Sequence, residues 1–172
     1  MSTRDRTRRE RYDQKKMSAK TYPVSICCIN FMHDGNLGYL IRAAACFGAE
    51  CVHVIGTVPD RRDINSLSGS LYDYVKIIRH SSPIEFINYA KDEKIRIVSA
   101  EICQDSKPIS SYVVNSSERV CLVVGHEEIG VPSEILRNSD IVHIPMPGVG
   151  YCLNTSQVAN ILLYESIKQI GF

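Results

Sequence analysis

Apolar and polar positions alternate along the chain in blocks of two kinds. Residues 24–30, 51–56, 74–79, 95–100, 119–124 and 140–144 are short apolar runs, with the length and β-type composition of six strands. Residues 36–47 carry Leu37, Leu40, Ile41, Ala44 and Phe47 at helical spacing, with Asn36 placed as cap and Gly48 as stop. Residues 83–93 predict a second helix, with Ser82 as N-cap and Pro83 in the first turn. Residues 132–138 predict a short helix, and residues 153–170 a long final one that is apolar on more than one face. Residues 57–73 are polar and rich in turn formers. Strands alternating with helices at this spacing predict an α/β fold with a mostly parallel sheet and flanking helices. In such sheets ligands sit beyond the carboxyl ends of the strands, so the loops after the strands are where chemistry is sought. The final helix leaves two arrangements open, deep cover by the sheet or cover by a second subunit. A homodimer built partly on this helix is the preferred one.

The composition narrows the class. A chain of 172 residues, 44% hydrophobic and 23% charged, fits one globular domain with or without a tail and excludes a wholly disordered chain. No apolar run approaches the ~18 residues of a membrane span, and the N-terminus lacks the apolar core of a signal peptide. Seven cysteines, an odd number with no C-x-x-C pair, read as reduced thiols in a cytoplasmic protein rather than a disulfide framework. Five scattered histidines give no metal-ligand spacing, and no metal is expected.

The net charge of +1 hides an asymmetry. Residues 1–20 hold eight Lys and Arg against three acids, a charge of +5, whereas the other 152 residues hold twelve against sixteen, a charge of −4. The chain divides into a basic N-terminal arm, residues 1–20, and a domain, residues 21–172. The arm is either a solvated, disordered tail or a counter-ion for a polyanion. If it folds, it folds as a short helix, since it has no Gly or Pro.

Three segments could carry chemistry. In the first, Asn36-Leu-Gly-Tyr-Leu-Ile-Arg42, Gly38 lets a ligand or another backbone come close, and Arg42 is a cation among apolar neighbours. Such a cation needs an anion, a structural acid partner or a route for its head to water. In the second, residues 123–132, a strand ends at Gly125 and Glu127 follows in the turn. That is either a binding loop or an ordinary strand-to-helix turn, and it is neither a P-loop nor a G-x-G-x-x-G fingerprint. In the third, residues 144–156, a Pro/Gly loop enters a helix through Cys152, Asn154, Thr155 and Ser156. There, free backbone N–H groups could hold an anion, or Asn154 or Ser156 could simply cap the helix.

In this order and spacing the segments resemble the SpoU-type RNA 2′-O-ribose methyltransferases of the SPOUT superfamily. The family's N-x-G-x-x-x-R with a following F-G-A is matched by Asn36, Gly38, Arg42 and Phe47-Gly48-Ala49. Its G-x-E-x-x-G is matched by Gly125, Glu127 and Gly130. Its I-P-M, S-L-N-x-S and closing Y-E are matched by Ile144-Pro-Met146, Cys152-Leu-Asn154, Ser156 and Tyr164-Glu165. One position departs: the family's usual Ser is Cys152 here, a poorer hydrogen-bond partner.

The resemblance implies a C-terminal trefoil knot whose loops bind S-adenosylmethionine, with transfer RNA favoured over ribosomal RNA as substrate. It places the donor against Ala100, Gly125, Ile144, Met146, Cys152 and Leu153, and it makes Arg42, Asn36, Glu127 and Asn154 the catalytic set. A guanidinium holds its proton too tightly to be a base, so Arg42 is expected to clamp a phosphate and stabilise the developing alkoxide. Glu127 and Asn154 are expected to orient Arg42, the ribose or the donor. The alternative is a knotted RNA-binding protein impaired in catalysis through Cys152.

Overall fold

The computed structural model describes residues 7–171. Arg4, Asp5 and Arg6 of the basic arm lie outside the described residues. Within the arm, Arg8–Lys16 forms helix α1, closed by a capping box between Thr7 and Glu10. The domain then runs β1 (Val24–Ile29), α2 (Asp34–Phe47), β2 (Val52–Ile55), α3 (Arg61–Ile64), β3 (Ile77–His80), α4 (Pro83–Asp92), β4 (Ile95–Ala100), β5 (Lys107–Pro108), β6 (Arg119–Val124), α5 (Ser133–Leu136), β7 (Asp140–His143) and α6 (Thr155–Ile170).

The seven strands form one sheet in the order β3-β2-β1-β6-β4-β7-β5, and every neighbouring pair is parallel. Helices on both faces explain why the central strands read as unbroken apolar runs. One face of the sheet, with Ile26, Val54 and Leu122, packs against Leu40 and Ile41 of α2 and Leu162 and Leu163 of α6. The other, with Cys27, Ile55 and Val123, packs against Phe86 and Ile87 of α4 and Ile135 of α5. Between β5 and α6 the chain returns to the middle of the sheet as β6, then lays β7 between β4 and β5. The carboxyl ends of β4, β6 and β7 are thereby brought side by side.

The elements depart from the sequence reading at four places. Helix α2 begins at Asp34, so Asn36 lies inside its first turn rather than capping it. The third strand is shorter than residues 74–79, because Tyr72–Tyr74 closes a one-turn 3-10 helix with Tyr74 N–H donating to the Leu71 carbonyl at 3.0 Å. The two-residue edge strand β5 has no apolar pattern to announce it. Helix α6 is covered within one chain: Ala159, Leu162, Leu163 and Ile167 are buried against the sheet and α2, and its outer stripe is Gln157, Asn160, Tyr164 and Lys168. Its apolar character is therefore accounted for by the sheet and does not by itself call for a second subunit.

Candidate active site

A cavity of about 260 Å³ opens where the loops after β4, β6 and β7 meet the start of α6. All six residues nominated for the donor line it. Ala100 ends β4, Gly125 follows β6, Ile144 and Met146 follow β7, and Cys152 and Leu153 lead into α6. Val124, Val142 and Val158 complete the apolar wall. Gly125 is required for a close approach to its own chain: a Cβ there would lie 2.5 Å from the Gly130 carbonyl carbon. The turn it permits is closed by paired backbone hydrogen bonds between His126 and Gly130, at 3.0 and 3.1 Å.

Beside this cavity lies a second one, a groove of about 550 Å³ between α2 and α6, lined by Asn36, Tyr39, Arg42, Asn154 and Asn160 among others. A hydrogen-bonded wall separates the two. Asn36 Nδ2 donates to Glu127 Oε1 at 2.6 Å, and Asn154 Nδ2 donates to Asn36 Oδ1 at 3.0 Å. Glu127 also accepts the backbone N–H groups of Met32 at 3.0 Å and His33 at 3.5 Å. Asn154 Oδ1 in turn caps α6, accepting from Ser156 N at 2.9 Å and Ser156 Oγ at 2.6 Å. Asn154 is thus both a cap and a bridge, and three segments spread over 118 positions of sequence share one junction. Partial burial pushes the Glu127 carboxyl up, but the hydrogen bonds from Asn36, Met32, its own backbone and His33 outweigh it and hold the group below the ordinary carboxylate range. Glu127 stands as a carboxylate that fixes the junction.

Arg42 is exposed and points into the groove side of this wall. Among the described residues it has no salt-bridge partner. The structural acid partner weighed for it is absent there, and Glu127 and Asn154 orient Asn36 rather than Arg42. Its five N–H donors are left for a ligand.

The cavity fits the donor chemically. Its walls are apolar, as an adenosine face requires, and Glu101, Glu127 and Glu128 border it with negative charge suited to a sulfonium. Thr155 Oγ1, on the same wall, is buried and has no hydrogen-bond partner among the described residues. Glu101 was not nominated from the sequence, and Thr155 was named only at the helix entry, without a place in the donor site. Glu101 accepts from Val131 N at 2.9 Å and so also pins the 125–131 turn. The only signal for it was its place directly after a strand, which many solvated acids share. Among the described residues no three His, Cys, Asp or Glu side chains are arranged to hold a metal ion.

Comparison with known proteins agrees with this geometry. The profile of the SpoU rRNA Methylase family matches residues 23–164. The chain is 24% identical over 157 residues to the tRNA (guanosine(18)-2′-O)-methyltransferase of Escherichia coli, covering 90% of this chain and 67% of that protein. It is 28% identical over 144 residues to the 23S rRNA (uridine(2479)-2′-O)-methyltransferase of Streptomyces viridochromogenes, covering 78% of this chain and 49% of that protein. In structure it resembles an AdoMet-bound rRNA methyltransferase from Sinorhizobium meliloti, with a TM-score of 0.78 at 23% identity, covering 86% of this chain and 58% of the other. The chain thus spans between about half and two thirds of the length of these proteins.

Proposed function

The chain belongs to the SpoU rRNA Methylase family, and on that premise we propose that it transfers a methyl group from S-adenosylmethionine to a ribose 2′-hydroxyl of RNA, with transfer RNA the favoured substrate. One observation carries the reading. The cavity lined by the six donor residues shares a hydrogen-bonded wall with the groove that holds Arg42.

S-adenosylmethionine supplies an electrophilic methyl on a positively charged sulfur. Ile144, Met146 and Leu153 provide the apolar surface for the adenosine, and the Thr155 hydroxyl and Glu101 carboxylate provide polar contacts at its rim. Glu127, Asn36 and Asn154 keep the three loops in register. Arg42 holds a substrate phosphate and stabilises negative charge growing on the ribose oxygen, which electrostatic preorganisation favours. Another acceptor takes the hydroxyl proton, because a guanidinium keeps its own.

Two copies of the chain complete the site. The groove side of α2 and α6 presents Arg42 with the half-exposed Tyr39 and Tyr164, a surface suited to a second copy. Laying β7 between two earlier strands, with the chain then turning back to α6, supports the trefoil knot implied by the family resemblance. Seven free cysteines, four of them buried, suit a reducing compartment, the cytoplasm. The cations of α1 grip RNA backbone.

The test is Arg42→Ala in the full chain. Calorimetry is expected to show S-adenosylmethionine binding close to the parent, and methyl transfer to bulk transfer RNA is expected to be lost. A variant that methylates as well as the parent overturns the role of Arg42. Donor and RNA binding by the parent with no transfer favours the impaired RNA-binding protein instead.

A further inference from the structure

The cation on which transfer is proposed to turn lies beside a backbone loop rather than an acid. A Cβ placed on Gly69 would lie 3.5 Å from Arg42 Nε and 3.6 Å from its Cδ and Cζ. The Arg42 side chain therefore runs beside Gly69, close enough that a side chain at that position would touch it. The loop 65–71 that carries this residue is tightly set. On its inner side a Cβ on Gly38, one turn before Arg42 in α2, would lie 2.4 Å from Leu67 Cβ, and Ser68 is fully buried. Gly69 and Ser70 both have positive φ, +66° and +67°, so two successive residues are held in the left-handed region. For Ser70 that conformation carries strain, and strain of this kind persists only where the surroundings impose it.

The loop's own backbone bonds close it, Ser70 N–H donating to the Asn65 carbonyl at 2.8 Å, and α1 braces it from outside. The Tyr12 hydroxyl donates to the Gly69 carbonyl at 3.1 Å, across 57 positions of sequence. The Tyr74 hydroxyl donates to Asp13 Oδ1 at 2.7 Å, the Tyr12 and Tyr74 rings meet edge to face at 5.6 Å, and Lys16 Nζ lies 5.8 Å from the Tyr74 ring centroid. These contacts place Tyr12 on the side of α1 that faces the domain. Arg8, Arg11 and Lys15, at i, i+3 and i+7, form a separate exposed stripe without salt-bridge partners among the described residues.

We infer that Tyr12 is a positioning residue for Arg42: α1 is a strap that binds phosphodiester backbone on one side and, through Tyr12 and Gly69, fixes the guanidinium on the other. This rests on the reading of Arg42 given above. An RNA held by the α1 stripe loads the same helix that braces the loop under Arg42.

Tyr12→Phe in the full chain tests it, because the substitution removes the hydroxyl and leaves the ring against Tyr74. The single-turnover methylation rate is expected to fall about three- to ten-fold, the scale of one lost neutral hydrogen bond. The KM for RNA and the affinity for S-adenosylmethionine should stay at the parent values. Phenylglyoxal should modify Arg42 faster in the variant, read by peptide mass mapping against the parent. A merely structural role lowers the melting temperature and leaves the turnover rate alone, and that result overturns the inference. If the parent itself transfers no methyl, the functional reading fails separately, and the phenylglyoxal rate decides this one: equal rates in the two proteins refute the strap.

Discussion

At the scale of the residue, side chains in this site do two jobs or none of those their position suggests. Asn36, near the start of a helix and of a type that favours caps, caps nothing: its amide is taken by Glu127 on one side and Asn154 on the other. Asn154, a plain cap by position, is the second half of the same bridge. Cys152 lines the cavity and is exposed, so its thiol stands where a hydroxyl could serve. Cys152→Ser is expected to match or exceed the parent, by up to about ten-fold if the hydroxyl gains one hydrogen bond to the bound donor or substrate. Initial methylation rates at saturating donor measure this, and a complete loss would assign the thiol a specific function. The motif residues were legible through the family resemblance, which names Asn36 and Arg42 in α2 and Gly125, Glu127 and residues 144–154 on the loops after β6 and β7. Their partners were not, since no local pattern says that positions 36, 127 and 154 meet. Glu101 stayed hidden, and Thr155 was named without a donor role, for the related reason that one hydroxyl and one acid at element ends have many ordinary explanations.

At the scale of the element, β2 and β3 are joined to α4 through two imidazoles. His53 Nδ1 lies 3.0 Å from His80 Nε2, and His53 Nε2 lies 3.3 Å from the Cys51 thiol, with Phe86 and Tyr89 packed around both rings. Burial, and then the neighbouring His80, push the His53 pKa down to about 3. Burial also lowers His80, against a smaller upward pull from Glu85. Both rings are therefore neutral in the fold and protonate more readily when it opens. The stability they allow is complete above the ordinary histidine pKa near 6.5 and is lost as the pH falls from there toward about 3 for His53. Unfolding free energies from urea titrations at pH 7.5, 6 and 5 should be highest at 7.5 and fall below about pH 6.5, by up to about 1.4 kcal/mol per pH unit for each group. In His53→Phe the decline should be shallower. Equal slopes in parent and variant would remove His53 as its source. The apolar runs of the strands and the Ser82 cap of α4 could be read directly, because burial on both faces and a cap are local signals. The two-residue β5 and the start of β3 could not, since edge pairing and an aromatic reaching to α1 are decided by distant residues.

At the scale of the whole molecule, charge is segregated. The basic arm adjoins the groove that holds Arg42, while Glu101, Glu127 and Glu128 border the donor cavity. A polyanion is drawn to one side and a cationic donor to the other. RNA binding should therefore weaken steeply with salt, and removing two cations from the exposed stripe (Arg11→Ala with Lys15→Ala) should reduce the slope of log K against log salt by about 1.4–1.8. Filter binding of transfer RNA over a range of potassium chloride measures that slope, and an unchanged value would leave α1 without a role in RNA contact. The long acidic body and short basic arm were plain in the sequence, but their relation to the site was not, because it depends on Tyr12 and Tyr74 folding the arm back onto the domain.

The insertion of β7 between two earlier strands has a temporal meaning. Arg42 and most of the sheet are synthesised well before the segment 142–158 that closes the donor cavity. A chain that ends before that segment has nowhere to seat a methyl donor. The donor cavity is therefore complete only once residues 142–158 are in place, and a chain cut before them is expected to bind no S-adenosylmethionine, which calorimetry on the truncated chain would check.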